Sequence, residues 1–354
     1  MENKNILSQA REPMSRRNFL RLSGLAGLGL ASVGFVPPAA EAVNFNRKMK
    51  KVSNTKLAMG TVVSMTLIHP SRDEAQEAMA LAFEEINRLT SVLSRFDDTT
   101  AVSLLNRTGN LEDIPGEVAY VVARALNHHR ISGGAFDITV KPVIDLFRKK
   151  HTRGRLTPPD KSELENALRL VGSNGIQLKG RSIRFKKPGM GITLDGIAKG
   201  YIVDRASEIL SACKIENHLI NAGGDIRSRG SRQQTKPWTV AIQDPRKNKQ
   251  YPDVIHMTDG AIATSGNYEV YFDREKMFHH IVDPRTGMSP LSDASVSVMA
   301  QTATDADALS TSVFVMDPSD GLRFIDSIPA CECLVVTRTG KLFMSGGWRK
   351  NAAT

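Results

Sequence analysis

Five short runs rich in β-branched and apolar residues follow one another in the C-terminal third of the chain, at residues 218–221, 238–242, 254–257, 279–282 and 294–299. A single helical stretch, 305–316, interrupts them. A doubly wound parallel sheet needs a crossover helix after each strand, so this succession fits a dinucleotide-binding fold poorly. Upstream the pattern is mixed. Residues 56–68 alternate like a strand through Met59-Gly60-Thr61. Ser71-Arg72-Asp73-Glu74 has capping-box spacing and opens a helix with Ala75, Ala78, Met79, Ala82, Ile86 and Leu89 on one side. Further helices are predicted at 116–131 and 139–150 and after Gly196, with short strands on either side of Gly180 and an exposed basic loop at 151–160. The expected class is α+β.

The N-terminus carries an address. Arg16 and Arg17 precede an apolar run at 22–36 that is too short to span a bilayer, and Ala40-Glu41-Ala42 has the small-x-small form of a cleavage site. Residues 1–42 read as a twin-arginine signal peptide, cut after Ala42, that hands the folded protein to the twin-arginine translocase and places it in the periplasm. An uncleaved membrane anchor or a loose tail is the alternative. Residues 43–55 read as a basic flexible arm and 56–354 as the functional domain. Removing the signal lowers the net charge from +10 to +8. With only 6% aromatic residues and no nucleic-acid motif, that surplus is not read as a nucleic-acid surface. Cys213, Cys331 and Cys333 are too few for a disulfide scaffold and are read as inert thiols.

There is no P-loop, no Gly-x-Ser-x-Gly elbow and no His-Glu-x-x-His. What remains is a set of glycine-bounded segments: Ser132 to Asp137, Asp195-Gly196-Ile197-Ala198-Lys199-Gly200, Asn221-Ala222-Gly223-Gly224-Asp225, and His280 to Gly287. Glycines let backbone approach a ligand closely, and Lys199 adds positive charge in a first helical turn. Asp307 and Thr311 stand four apart on one helical face, a carboxylate and a hydroxyl suited to Mg²⁺. Each piece alone has an ordinary explanation as a cap, an intrahelical bond or a turn. Together they describe a phosphate-bearing ligand held by glycines, a lysine and a hard metal.

These segments, with Met59-Gly60-Thr61 before them and Asp307-Ala308-Leu309-Ser310-Thr311 after, resemble the ApbE family of FAD:protein FMN transferases, in the family's order. The resemblance implies a T-fold-like architecture with FAD in a cleft between two lobes. It also implies Mg²⁺-dependent transfer of FMN from FAD, the substrate, to a Ser or Thr hydroxyl of a target protein through a phosphodiester, with release of AMP. By the same resemblance Met59, Phe96, Ala135, Phe136, Asp137, Lys199 and Ile281 match positions lining the FAD site. The Gly196 carbonyl, Asp307 and Thr311 match the Mg²⁺ site, with Ser310 a further candidate. His280 and Asp283 match the polar pair beside the reacting pyrophosphate. Many members carry an aspartate where this chain has Thr193; Asp195 either replaces it or caps the following helix.

In the expected mechanism, Mg²⁺ and Lys199 neutralise the pyrophosphate while the acceptor hydroxyl attacks the FMN-side phosphorus. His280, whose ordinary pKa lies near working pH, is the expected base unless it is simply a strand histidine. The implied acceptors are subunits of membrane redox complexes or the regulator of nitrous-oxide respiration. Two other classes remain open: an FAD pyrophosphatase yielding FMN and AMP, and a non-catalytic periplasmic FAD-binding protein.

Overall fold

The computed structural model describes residues 14–15, 49–152, 155–232, 236–245, 250–266, 281–290 and 294–348. Apart from residues 14–15, the signal peptide lies outside these residues, as do its cleavage site and His280. The frame is an eight-stranded, wholly antiparallel sheet. In chain order its strands are β1 (Lys50–Ala58), β2 (Thr61–His69), β5 (Asn217–Ala222), β6 (Asp225–Arg229), β9 (Gly260–Gly266), β10 (Ala294–Ala300), β11 (Glu332–Thr337) and β12 (Leu342–Met344). They lie side by side as β12-β11-β10-β9-β6-β5-β2-β1. A two-stranded ribbon, β7 (Trp238–Ala241) with β8 (Val254–Met257), and a three-stranded sheet built around β3 (Ile176–Lys179) and β4 (Ser182–Phe185) stand apart from it.

The period of two along the strands sorts their side chains between two cores. Ile220, Ala222, Ala261 and Ala263 face one side, where α1 (Arg72–Leu93), α6 (Ala198–Ala212) and α7 (Ala303–Val315) cover them. Leu219, Ile226, Ile262, Leu334 and Val336 face the other and pack against Trp238, Val240, Ile255 and Met257 of the ribbon and against Trp348. The remaining helices are α2 (Ala101–Thr108), α3 (Gly116–Ile131), α4 (Lys141–Lys150), α5 (Lys161–Leu168) and α8 (Pro318–Asp326). The observed class is α+β, as expected.

All six residues expected on the inner side of α1 are buried, and Ser71 caps that helix by accepting from the Glu74 amide. The helix at 116–131 matches its expected span. Several expectations need correction. Residues 50–55 of the supposed flexible arm belong to β1, held by pairing from Lys50↔His69 to Ala58↔Thr61. The single strand expected over 56–68 is a hairpin that turns at Met59 and Gly60, both at positive φ (52° and 70°). The alternation carries straight through such a tight turn, so periodicity alone does not reveal it. Ile281 and Val282 are not in a strand, and residues 279–280 lie outside the described residues. Helices α2, α5 and α8 and strand β9 were not foreseen, although Asp160 forms a full capping box with Glu163 at the start of α5. The cysteines are free; Cys331 sits just before β11, so only Cys333 lies within the strand, and burial raises both thiols.

Candidate active site

Two helices make the floor of the site by crossing unusually closely. At Gly200 in α6, a Cβ would stand 2.2 Å from the Ala303 carbonyl oxygen of α7. The carboxylate of Asp204, one turn further along α6, accepts from the backbone amides of Ala303 and Thr304, both at 2.8 Å, and from the Thr304 hydroxyl at 2.6 Å. This clamp fixes the start of α7 and brings Asp307 over the first turn of α6, where the Gly200 amide donates to its Oδ2 at 3.1 Å. One turn on, Thr311 reaches Gly196: a Cβ there would lie 3.2 Å from Thr311 Oγ1 and 3.3 Å from the Phe136 ring.

Asp307 is buried, and its carboxyl is pushed up to about 8, first by burial and then by the nearby Asp225, against the opposing pull of Lys199. Lys199 Nζ lies 2.8 Å from Asp225 Oδ2, and the Asp225 side chain is 2% exposed. Two buried carboxylates thus share one ammonium, and the site is short of positive charge. The surrounding donors are hard oxygens: one carboxylate, the Thr311 hydroxyl and the nearby Gly196 backbone. Among the described residues no three His, Cys, Asp or Glu side chains form a self-sufficient metal cage. That donor set fits Mg²⁺, which dehydrates reluctantly and takes the rest of its shell from water and substrate phosphate. Ser310 is fully buried; its hydroxyl donates to the Asp307 carbonyl and sits 2.9 Å from the Ser265 hydroxyl, which is itself 3.3 Å from Thr311 Oγ1. Ser310 therefore supports the helix from behind.

A cleft opens above this floor. Its wall contains Ala135, Phe136, Asp137, Thr193, Asp195, Gly196, Lys199, Ile281, Asp307 and Thr311, joined by Thr264, Ser265 and Gly266 at the end of β9. Ten of the expected site residues are therefore gathered in one place from four separate segments. Asp137 touches the cleft, but its carboxylate is fully engaged. It accepts from the amide and hydroxyl of Thr139 and of Ser173, and it pairs with His129 Nδ1 at 3.2 Å. Burial opposes its charge, yet the bonds from His129, Thr139 and Ser173 hold its pKa below the usual value; the same bond raises that of His129. Asp137 is a latch for the loop that presents Ala135 and Phe136.

Thr193 is buried and its hydroxyl accepts from the Asp195 amide. Asp195 does not cap α6, whose first residue follows Ile197 without a side-chain cap. Its carboxylate instead receives Arg95 Nε at 3.0 Å and Nη2 at 2.9 Å. Besides Ser310, three expected residues lie off the cleft wall: Met59 in the β1–β2 turn, Phe96, which is 66% exposed, and Asp283. The Asp283 carboxylate is taken up by the amide and guanidinium of Arg285, closing a turn in which the Gly287 amide donates to the Asp283 carbonyl. Sequence reasoning missed Asp225, Ser265, Arg95 and His129. Asp225 ends the Gly-Gly-Asp segment and Arg95 precedes Phe96, so both were within view; nothing local marked Ser265 or His129.

The cleft residues fall inside one continuous match to known proteins. Residues 59–335 fit the model of the ApbE family. The chain belongs to the ApbE family. It is 28% identical over 319 residues to an FAD:protein FMN transferase of Haemophilus influenzae, covering 84% of this chain and 90% of that protein. A Vibrio cholerae protein of the same name is 31% identical over 255 residues, covering 69% of this chain and 74% of its relative. The crystal structure of the ApbE protein of Thermotoga maritima superposes with a TM-score of 0.78 at 30% identity, covering 86% of this chain and all of that one.

Proposed function

We propose that this ApbE-family chain transfers FMN from FAD to a Ser or Thr hydroxyl of a target protein, forming a phosphodiester and releasing AMP. The observation that carries the reading is the convergence of Lys199, Asp307, Thr311 and Gly196 with Ala135 and Phe136 on one cleft. The name shared by the relatives, FAD:protein FMN transferase, supports it. Asp307, Thr311 and the Gly196 carbonyl would hold Mg²⁺, which when bound supplies Lewis-acid neutralisation of the pyrophosphate and of charge developing on AMP. Lys199, already held at the cleft wall by Asp225, contributes a second positive charge. The hydroxyl oxygen of the acceptor attacks the FMN-side phosphorus, the bond from that phosphorus to the AMP oxygen breaks, and the hydroxyl proton passes to a base. His280 is the proposed base, one residue before the cleft residue Ile281. Asp283, bound to Arg285, shapes the loop that follows.

Export by the twin-arginine route, cleavage after Ala42 and a periplasmic site of action belong to the same proposal, supported by Arg16-Arg17 and the short apolar run. The acceptors would be exported or membrane redox proteins, a subunit of a membrane complex or the regulator of nitrous-oxide respiration. The test incubates purified protein with FAD, Mg²⁺ and a candidate acceptor and looks for fluorescent flavin on the acceptor band. FMN and AMP released with no labelled acceptor would instead indicate an FAD pyrophosphatase, and intact FAD a carrier.

A further inference from the structure

Helix α3 touches both halves of the site through two adjacent histidines. His129 holds the loop that carries Phe136, through Asp137 and through the Phe136 carbonyl oxygen, 3.0 Å from its Nδ1. His128 reaches α7 instead: its Nε2 donates to Asp305 Oδ1 at 2.9 Å. Arg124, one turn earlier on α3, donates to the same oxygen. Asp305 closes the first turn of α7. Its Oδ2 accepts from the Thr302 hydroxyl at 2.7 Å, and its amide donates to the Thr302 hydroxyl oxygen at 3.1 Å. The His128 ring also meets the Phe136 ring nearly edge-on, with centroids 6.0 Å apart and planes at 69°. His128 is 2% exposed, and its Nδ1 has no hydrogen-bond partner among the described residues. A buried polar atom left unpaired costs stability that a leucine or phenylalanine in its place would not. What the imidazole adds in return is a bond to Asp305 made from a ring that also rests on Phe136.

We propose that His128 is a positioning residue. It sets the first turn of α7, and with it Asp307 and Thr311, in fixed relation to Phe136, so that a flavin against the aromatic wall presents its pyrophosphate to the metal ligands. The inference rests on the flavin-transfer reading and deepens it by assigning what aligns the two halves of its site. Each half is also anchored separately. His129 and Ser132 bind the backbone of Phe136, and Asp204 binds the start of α7. Loss of His128 therefore leaves both halves in place and disturbs their alignment.

The test measures FAD binding to the full-length protein by quenching of flavin fluorescence, with and without Mg²⁺. In the wild type Mg²⁺ should tighten binding. In His128→Ala the Mg²⁺-free dissociation constant should stay within about twofold, while the tightening by Mg²⁺ should shrink roughly fivefold, an ordinary size for coupling through a side-chain network. His128→Gln, whose amide can still donate to Asp305, should recover most of the tightening. His128→Phe, which fills the space and keeps a ring beside Phe136 but cannot donate, should not. Arg130→Ala, exposed on the same helix and bonded to Asn127, is the control and should match the wild type. A lower Tm in His128→Ala with undiminished tightening would reduce the residue to core packing and overturn the proposal. A phenylalanine variant like the wild type beside a glutamine variant like His128→Ala would overturn it too, as would a wild type whose FAD affinity ignores Mg²⁺. If the binding data follow the stated order but the wild type labels no acceptor protein, flavin transfer fails and the alignment stands.

Discussion

Gly200→Ala tests the geometry on which the site depends. The new Cβ would stand 2.2 Å from the Ala303 oxygen, 2.6 Å from its carbonyl carbon and 2.9 Å from the Thr304 Cα, all of them backbone atoms. None can swing aside, and Asp204 holds the same two residues through three hydrogen bonds. Relief therefore requires α7 to withdraw as a body by about 1 Å, to restore ordinary contact. That stretches the 3.1 Å bond from the Gly200 amide to Asp307 beyond hydrogen-bond range. Overpacking costs about 1–3 kcal/mol and the lost bond to a carboxylate about 1.5–3, offset by roughly 1 kcal/mol of improved helix propensity. The net is about 1.5–5 kcal/mol, a fall in Tm of roughly 2–7 °C for a chain of this size. Transfer should drop further, about 10²-fold, because Asp307 would be displaced by about an ångström. Gly116→Ala is the control: it opens α3 with nothing within 4 Å of the new methyl and should melt like the wild type or slightly higher. Calorimetry and flavin labelling of an acceptor check both variants. A Gly200→Ala protein with wild-type Tm and rate would refute the close crossing and the role given to it.

Other consequences are as direct. Asp307→Ala removes the only carboxylate among the proposed Mg²⁺ ligands, so labelling should fall by orders of magnitude with little change in fold; full activity at low Mg²⁺ would contradict the ligand set. His218 is buried; its Nδ1 is 2.9 Å from the Ile215 carbonyl, to which it donates, so Nε2, 2.7 Å away, accepts from Ser207. Burial pulls its pKa down to about 4, so the unfolded chain takes up the proton first as pH falls below 6.5. This contribution is complete above that pH and disappears by about pH 4, a loss of about 3 kcal/mol; denaturant midpoints of His218→Gln should show a shallower acid dependence than the wild type. Changing Arg16 and Arg17 together to lysine should leave precursor with residues 1–42 in the cytoplasm, and normal periplasmic recovery would show the address misread. His280→Ala should lower the transfer rate roughly 10²–10⁴-fold and flatten the acidic limb of the pH–rate profile with FAD affinity intact; weakened affinity with an unaltered limb would make it a binding residue.

Legibility in the sequence followed the range of the interaction that fixes each feature. The helix at 116–131 and the inner side of α1 were legible because a period of 3.6 is written locally and burial enforces it. The β1–β2 hairpin was not, because its turn puts Met59 at positive φ, a conformation the residue type argues against. Met59 can occupy it because nine cross-strand pairs, from Lys50↔His69 to Ala58↔Thr61, hold the two strands in register. β9 was missed for a related reason. Its sequence, Gly260-Ala261-Ile262-Ala263-Thr264-Ser265-Gly266, is rich in small residues with little propensity of its own, and its place is set by β6 and β10 on either side.

The same distinction separates the residues at the site. Lys199, Asp307 and Thr311 could be named from local spacing, and Gly196 from the family resemblance. Gly200 shows what the small residues around them do across the fold. Its missing side chain admits α7, and the approach turns an ordinary helical amide into a donor for Asp307. Asp225, Ser265 and His129 act only on the residues they meet across the fold. Asp225 supplies the charge that holds Lys199, Ser265 bridges Ser310 and Thr311, and His129 secures Asp137. Asp137 carries the further lesson. A carboxylate in a glycine-rich loop invites a ligand-binding role, but five bonds from within the fold leave it no free acceptor for one, and its contribution is to hold Phe136 where the cleft needs an aromatic wall.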